Sequence, residues 1–430
     1  MVAHAMVSAA RLTSSALRRV AGGRLAALPF DVAFWDGSSL PAGAPSVGTV
    51  HVRRAAIGHL LHEPNQLGLV RAFVSGDLDL DGDLIALLRE RGRFRGAGLT
   101  KADLGLALGT ALALGGRDAL RRPVVPAIEH RPQGLRHSVL RDRATVRHHY
   151  DASNAFYRLL LGPSLVYSCA YFEDPADLLE TAQERKLELI CRKLRLQPGE
   201  RLLDIGCGWG SLLIHAAGRH GVRAVGVTLS EEQAALARER VRDAGLADRV
   251  EVRVADYREV HDGPYDKVAS VGMVEHVGLA NLAAYAQTIA RLLRPGGLAL
   301  NHGIAQLFSE PAGEKSLIQR YVFPDGELPR LGAVVGALQD AGLEPRDVES
   351  LREHYALTLW AWIANLREHR DAIVAEVGEP RERAWLLYLI GSALAFEDAD
   401  IGVFQVLAAR PGADHELPLA RGDVLATEAV

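Results

Sequence analysis

From about residue 160 onward, short apolar runs alternate with stretches whose apolar residues recur at helical spacing. The runs at 201–205, 223–228, 249–254, 267–271 and 297–302 predict strands, and 211–219, 231–244 and 281–293 predict helices between most of them. Such alternation builds a parallel sheet with helices on both faces, an α/β fold. The turn RPGG at 294–297 stops a helix before the fifth strand, and GVFQVLA at 402–408 predicts a final strand, antiparallel at the sheet edge. The first 115 residues read differently. FDVAFWDGS and GTVHVRR have the partial alternation of strands, whereas Leu60, Leu61, Leu67, Val70 and Phe73 fall at helical spacing. A small α+β domain over 1–120, a linker over 121–148 and a larger α/β domain over 149–430 follow from these patterns.

Composition narrows the picture only slightly. A net charge of -4 argues against a nucleic-acid partner, although eight arginines cluster between Arg117 and Arg147. Cys169, Cys191 and Cys207 show no C-x-x-C or His/Cys metal spacing, so they read as reduced thiols in a cytoplasm, and no metal is expected. The arginines at 11, 18 and 19 interrupt the N-terminus and make it a poor signal peptide. The longest apolar stretch, 104–116, falls short of the about 20 residues that span a bilayer.

The chemistry starts at LLDIGCGWGS, residues 202–211. A dinucleotide fold wants G-x-G-x-x-G at a helix N-terminus. Here Asp204 precedes Gly206, Gly208 and Gly210 at alternate positions, a spacing better suited to the amino-acid end of S-adenosylmethionine than to a phosphate. In an open α/β sheet the ligand sits at the carboxyl ends of the strands, so each end offers candidates. The second carries Thr228 and Leu229, followed by Gln233, where a dinucleotide enzyme would hold an acid for the ribose hydroxyls. The third carries Asp256, able to accept from an adenine amino group, and Tyr257; the fourth ends in VGMVEHVG. Ser230 also fits a plain helix cap, and Asp256 a plain loop acid.

The chain strongly resembles the cyclopropane-fatty-acyl-phospholipid synthase family, which includes the mycolic acid cyclopropane synthases. The resemblance rests on HHYDASNAFYRLLLGPSLVYSCAYF, LLDIGCGWGS, GVTLSEEQ, ADYRE, VGMVEHVG, YVFPDGELP and the segment around Tyr355, in order over about 148–410. HLLHEPNQLGLVRAFVSGDLDLDGDL looks like an actinobacterial branch, some of whose members are thought to make 10-methylene fatty acids. The resemblance implies a Rossmann-like class I methyltransferase with a seven-stranded, mostly parallel sheet, preceded by an accessory, lipid-binding domain. It implies transfer of a methyl carbon from S-adenosylmethionine to a cis double bond in a phospholipid acyl chain. It further implies that bound bicarbonate deprotonates the resulting carbocation. By residue-by-residue likeness the bicarbonate cradle is Cys169 and Ile304, through backbone groups, with the side chains of Glu275, His302 and Tyr355. The resemblance further implies that Tyr167 and Ser168 close over the cofactor and that 149–161 forms a lid, while His276, Trp360 and Trp362 are expected to be structural.

The expected products are a cyclopropane or a methylene branch that a flavin-dependent reductase partner completes. A soluble enzyme must meet its lipid at the bilayer, so a peripheral position on the inner face of the cell membrane is expected. The arginine cluster would then face anionic headgroups, each worth roughly 1 kcal/mol, with 104–116 as an interfacial helix or as core. Members with such an accessory domain are often dimeric, which makes a homodimer a further expectation. Two other readings stay open: a conventional small-molecule methyltransferase, and a catalytically silent membrane-associated binding protein.

Overall fold

The computed structural model describes residues 8–19, 28–43, 45–91, 101–116, 120–130, 141, 153–308 and 316–420. Most of the expected linker, with Arg131, Arg136, Arg143 and Arg147, and the first residues of the expected lid lie outside the described residues, as does Arg117. The chain divides into two compact units, one of 1–129 with 314–321 and 378–391, the other of 130–313, 322–377 and 392–430.

The first unit opens with helix α1 (Ala9–Leu17) and holds strands β1 (Asp31–Phe34), β2 (Ser39–Leu40) and β3 (Gly48–Val52), helices α2 (Arg54–His62) and α3 (Gln66–Val74), then β4 (Leu78–Gly82), α4 (Leu84–Arg89) and α5 (Lys101–Gly115). Its four strands form one sheet in the order β2-β1-β3-β4. The helical spacing over 60–73 is divided between two helices, α2 and α3. Pro64 lacks the N–H that would continue α2, and the Asn65 side chain accepts from Leu67 N to start α3. Glu129 is held in this unit by a two-pronged pair with Arg71, with both contacts at 2.6 Å.

The second unit begins, among the described residues, with α6 (Asn154–Leu161) and α7 (Leu179–Lys193), and then alternates: β5 (Arg201–Ile205), α8 (Ser211–His220), β6 (Arg223–Thr228), α9 (Glu231–Asp243), β7 (Val250–Val254), β8 (Tyr265–Val271), α10 (Val274–Val277), α11 (Leu282–Leu292) and β9 (Leu293–Gln306). After these come α12 (Leu331–Asp340), β10 (Glu344–Ser350), α13 (Arg352–Glu368), α14 (Arg370–Val377), α15 (Glu379–Glu397, shared with the first unit) and β11 (Ile401–Ala409). Seven strands form one sheet in the order β10-β11-β9-β8-β5-β6-β7. Pairings from β7 to β9 are parallel and those of β11 are antiparallel, so this is the class I methyltransferase fold.

The final strand is antiparallel as expected but does not lie at the edge. β10, whose polar alternation EPRDVES hides it among loop-like residues, pairs outside β11. An edge strand needs only one apolar face, and β10 alternates exposed and half-buried residues throughout. Two apolar clusters fill the layers between sheet and helices, one around Leu202, Leu213 and Ala224, the other around Leu203, Val268 and Tyr285. Leu202 and Leu203, successive residues of β5, belong to different clusters, as period-2 alternation in a doubly covered strand requires.

Candidate active site

β6 and β8 flank β5 on opposite sides, so the chain leaves the end of β5 at the point where the strand order reverses. A crevice at that position is the expected ligand site of an open α/β sheet. The glycines shape it. Gly206, Gly208 and Gly210 have φ of +83°, +53° and +80°, left-handed backbone that glycine adopts without a Cβ penalty. A Cβ at Gly206 would stand 2.5 Å from Cγ of Met273, and one at Gly210 would stand 3.3 Å from Cβ of Ala237. Here the loop passes so close to the fourth strand's turn and to α9 that side chains are excluded at the first and crowded at the last.

The cavity above this loop is lined by all ten residues assigned to the cofactor from the sequence: Tyr167, Ser168, Asp204, Gly206, Gly208, Thr228, Leu229, Gln233, Asp256 and Tyr257. Their roles divide. Asp204 is 3% exposed and its Oδ1 has no hydrogen-bond partner. Burial pushes its carboxyl up to about 7, against the pull of Lys186. A cationic ligand in the cavity would favour its ionised form, and the ammonium and sulfonium of S-adenosylmethionine are cations, so the residues present fit that cofactor. Thr228 Oγ1 donates to Gln233 Oε1 at 2.9 Å and accepts from Ser230 N. It fixes the Gln233 amide, whose Nε2 lies 4.0 Å from the Cβ position of Gly208. The pair spans the gap between β6 and the glycine loop, where the ribose hydroxyls would lie. Asp256 caps its own short turn and grips Arg258 through both oxygens, at 2.7 and 2.6 Å. Oδ1 also accepts from Arg258 N at 2.9 Å, so Oδ2 is the oxygen that would meet an adenine amino group.

Three cavity residues had no sequence signal assigned to them. Trp209 lies between the second and third glycines, donates from Nε1 to Asn154 Oδ1 at 2.8 Å and packs 4.8 Å from the Tyr157 ring. His276, read as structural, lines the cavity beside Phe323. Lys186 on α7 is the most consequential. It is 2% exposed, lines the cavity and donates from Nζ to Ser168 Oγ at 2.9 Å. Burial lowers its ammonium to about 8, partly opposed by Cys169 and Asp204. Packing explains its place: Ala182, Lys186 and Ile190 share the buried phase of α7, so the lysine occupies a position otherwise filled by apolar residues.

None of the five residues read as a cradle lines that cavity, yet they are connected to one another and to its wall. Cys169 follows Tyr167 and Ser168, and its thiol donates to the Leu351 carbonyl at 3.6 Å. Leu351 caps α13, accepts from Tyr355 N at 3.0 Å, and donates to Val403 O at 2.9 Å. Val403 stands opposite Ile304 in the β9–β11 ladder, and Gln405 stands opposite His302. Ile304 N–H bonds to the Glu275 carboxylate, and the 165–172 segment is pinned to α13 by Ala170 N to Thr358 Oγ1 at 3.0 Å and Phe172 N to His354 Nδ1 at 3.1 Å.

The electrostatics of this group are unusual. Burial pushes Glu275 up to about 7. His302 is held well below its ordinary range by burial, with further pressure from Lys186 and Lys193, so its imidazole is neutral. Burial also keeps the Cys169 thiol protonated, which excludes a thiolate nucleophile and agrees with a backbone role. Glu275 Oε2 and His302 Nε2 are buried polar atoms without a protein partner. Unsatisfied buried groups of this kind are costly in a folded protein, and an acceptor and a ring nitrogen together suit a small anion that also carries a hydroxyl.

Trp362 is fully buried and stands 5.3 Å from the Tyr167 ring, while Trp360 donates to Glu397 Oε1 at 2.7 Å. Arg141, counted in the arginine cluster, is paired instead with Asp325 of the cavity wall, Nε to Oδ2 at 2.6 Å.

Comparison with known proteins gives this arrangement its family. The model of the family described as mycolic acid cyclopropane synthetase matches residues 137–406. "Probable fatty acid methyltransferase" of Pseudomonas putida is 42% identical over 405 residues, covering 92% of this chain and 96% of that protein. "Probable fatty acid methyltransferase Rv3720" of Mycobacterium tuberculosis is 41% identical over 409 residues, covering 91% and 94%. Among solved structures, mycolic acid cyclopropane synthase CmaA1 complexed with SAH and CTAB has a TM-score of 0.59 and 34% identity, covering 62% of this chain and 98% of that one. The chain therefore belongs to the mycolic acid cyclopropane synthetase family and is an S-adenosylmethionine-dependent methyltransferase of the lipid-modifying kind.

Proposed function

We propose that this enzyme adds a methyl carbon to the cis double bond of phospholipid acyl chains and leaves a methylene branch, the precursor of a 10-methyl fatty acid. The observation that carries the reading is the juxtaposition of two buried polar groups of residues: a cofactor cavity around Asp204 and Lys186, and a largely neutral cradle around Glu275 and His302 directly behind its wall. The names of the two relatives that span nearly the whole chain favour methylation over ring closure.

S-adenosylmethionine, when bound, supplies an electrophilic methyl group. Asp204 accepts from its amino-acid end, Gln233 and Thr228 hold the ribose, and Asp256 meets the adenine. Tyr157, Tyr167, Trp209 and Phe323 form an aromatic wall that excludes water, and an alkene is so weak a nucleophile that water exclusion and positioning must supply much of the rate. Tyr355 offers its ring to the developing cation. Bicarbonate, when bound between Glu275, His302, Tyr355 and the backbone of Cys169 and Ile304, supplies a base. Glu275 and His302, both held near neutrality by burial, keep the cradle free of competing negative charge. Lys186 provides the nearby positive charge that favours an anion there. A proton lost from the added methyl as that carbon bonds to the cation would close a cyclopropane. A hydride shift from the methyl-bearing carbon to the cation, followed by loss of a proton from the methyl, would leave the methylene branch (C=CH2), which a flavin-dependent reductase would then saturate.

Membrane access is part of the proposal. No helix among the described residues is long and apolar enough to cross a membrane. α5 is apolar along its length yet leaves Leu108 51% and Leu112 38% exposed, and Arg121 and Arg122 are exposed in the same unit. That combination of exposed apolar surface and positive charge suits contact with a lipid surface that carries anionic headgroups. The test is incubation with methyl-labelled cofactor and either oleoyl phospholipid vesicles or small amine and hydroxyl acceptors. Label in the vesicle fatty acids supports the proposal, and label only in small acceptors overturns it.

A further inference from the structure

α7 and α8 pack against each other, and at their seam three potential metal ligands converge: Cys191 from α7 with His215 and His220 from α8. The thiol sulfur and one nitrogen from each ring all lie within 4.8 Å of one another. Glu188, one turn before Cys191, places a single carboxylate oxygen 2.9 Å from His215 Nε2 and 3.1 Å from His220 Nε2. We infer that this cluster is a zinc site clamping α7 to α8.

Four observations support the assignment. The donor set of one thiolate, two imidazoles and a carboxylate is the borderline-soft mixture that zinc favours. The spacing His215-x4-His220 lies within the range of zinc-binding histidine pairs, and its partner half, Glu188-x2-Cys191, is remote in sequence, so only the fold unites them. Zn–S of about 2.3 Å and Zn–N of about 2.1 Å in a tetrahedron put ligand atoms roughly 3.4–3.6 Å apart. The donors therefore need to close by about 1 Å, within reach of side-chain rotation on two rigid helices. Finally, Cys191 is fully buried whereas the side chains of His220 and Glu188 are 20% and 33% exposed, which gives the ion a route in from solvent. Glu188 serves as the fourth ligand or as the carboxylate that orients metal-bound histidines.

The site lies outside the proposed chemistry, and its consequence would be mechanical. α7 carries Lys186 and Leu187, and α8 carries Ser211 and Leu212, all four in the wall of the cofactor cavity. A clamp at the seam would hold both walls in register.

Untagged full-length protein, stripped with a chelator, should bind one cobalt or zinc ion per chain and retain it through gel filtration. The cobalt form should show tetrahedral d–d bands and a thiolate charge-transfer band, and zinc should raise the melting temperature. Cys191→Ser should lose the charge-transfer band. His220→Gln, at a partly exposed position, should fold as the parent does and bind zinc about 10- to 100-fold more weakly. A cobalt spectrum without the thiolate band, or His220→Gln and Cys191→Ser variants that bind with the parent's stoichiometry and affinity, would overturn the site and mark the binding as adventitious.

Discussion

Lys186→Met separates what the buried ammonium costs from what it does. In the folded protein the ammonium is fully desolvated and titrates at about 8 instead of 10.5, so burial disfavours its charged form. Methionine fills a similar volume without charge, and it removes the cost of burying an ammonium whose charged form desolvation disfavours. The melting temperature should therefore hold or rise. Function should move the other way. The ammonium donates to Ser168 at 2.9 Å and biases Asp204, Cys169 and His302. A charge-assisted hydrogen bond is worth about 1.5–3 kcal/mol, which converts to a loss of roughly 10- to 100-fold in kcat/KM.

The pH dependence supplies a readout that a merely structural lysine would not move. The unfolded chain binds more protons than the folded one between about 8 and 10.5, so this group's contribution to stability rises with pH across that window, and the variant lacks the rise. Parent activity should decline above about pH 8 as the ammonium is lost, while the variant's residual activity stays flat there. The assay is methyl transfer to oleoyl phospholipid vesicles over pH 6–10, with melting curves on the same samples. Unchanged kcat/KM, or an activity loss that merely follows a fall in melting temperature, would refute the reasoning.

Other substitutions probe the remaining parts. Glu275→Gln should abolish turnover with S-adenosylhomocysteine affinity within about twofold of the parent by calorimetry, since Glu275 does not line the cofactor cavity; loss of affinity in a folded variant would move Glu275 into that site. Asp204→Asn should lose cofactor affinity yet stabilise the ligand-free protein. The raised carboxyl contributes stability below its unfolded value of 3.8 that is lost as pH rises through about 7, so the variant's advantage in melting temperature should grow from pH 4 to 7 and then level off. Gly206→Ala should lose cofactor binding, because its Cβ meets Met273 at 2.5 Å and its φ of +83° costs about 1–2 kcal/mol for any other residue. An alanine variant with parental affinity would show that the loop can open at no cost.

The cofactor side was more legible in the sequence than the rest because its determinants are local. Strand, glycine turn and helix follow one another within a few residues, and each strand end can be read in turn, so most of the cavity's residues could be gathered before any coordinates. Tyr167 and Ser168, upstream of the first strand, came from the family resemblance. Three features escaped for reasons of tertiary origin. The expected final strand is interior because β10, polar on alternate positions, takes the edge and carries no apolar run to announce it. Lys186 reads as one more charge in ETAQERKLELICRK until packing shows which phase of α7 is buried. Cys191 and His215 are far apart in the chain, and only helix packing turns two unremarkable fragments into a cluster.

The most direct test of the central claim is mass spectrometry of membrane fatty acids from a host that lacks its own synthase, expresses this chain and is supplied with oleate. Carbon transfer to the double bond predicts a gain of one CH2 unit in a phospholipid-bound acyl chain, and the methylene product predicts that ozone still cleaves it. A gain that resists ozone would contradict the methylene branch and identify a cyclopropane. No gain at all, from folded protein that binds S-adenosylhomocysteine, would contradict the account.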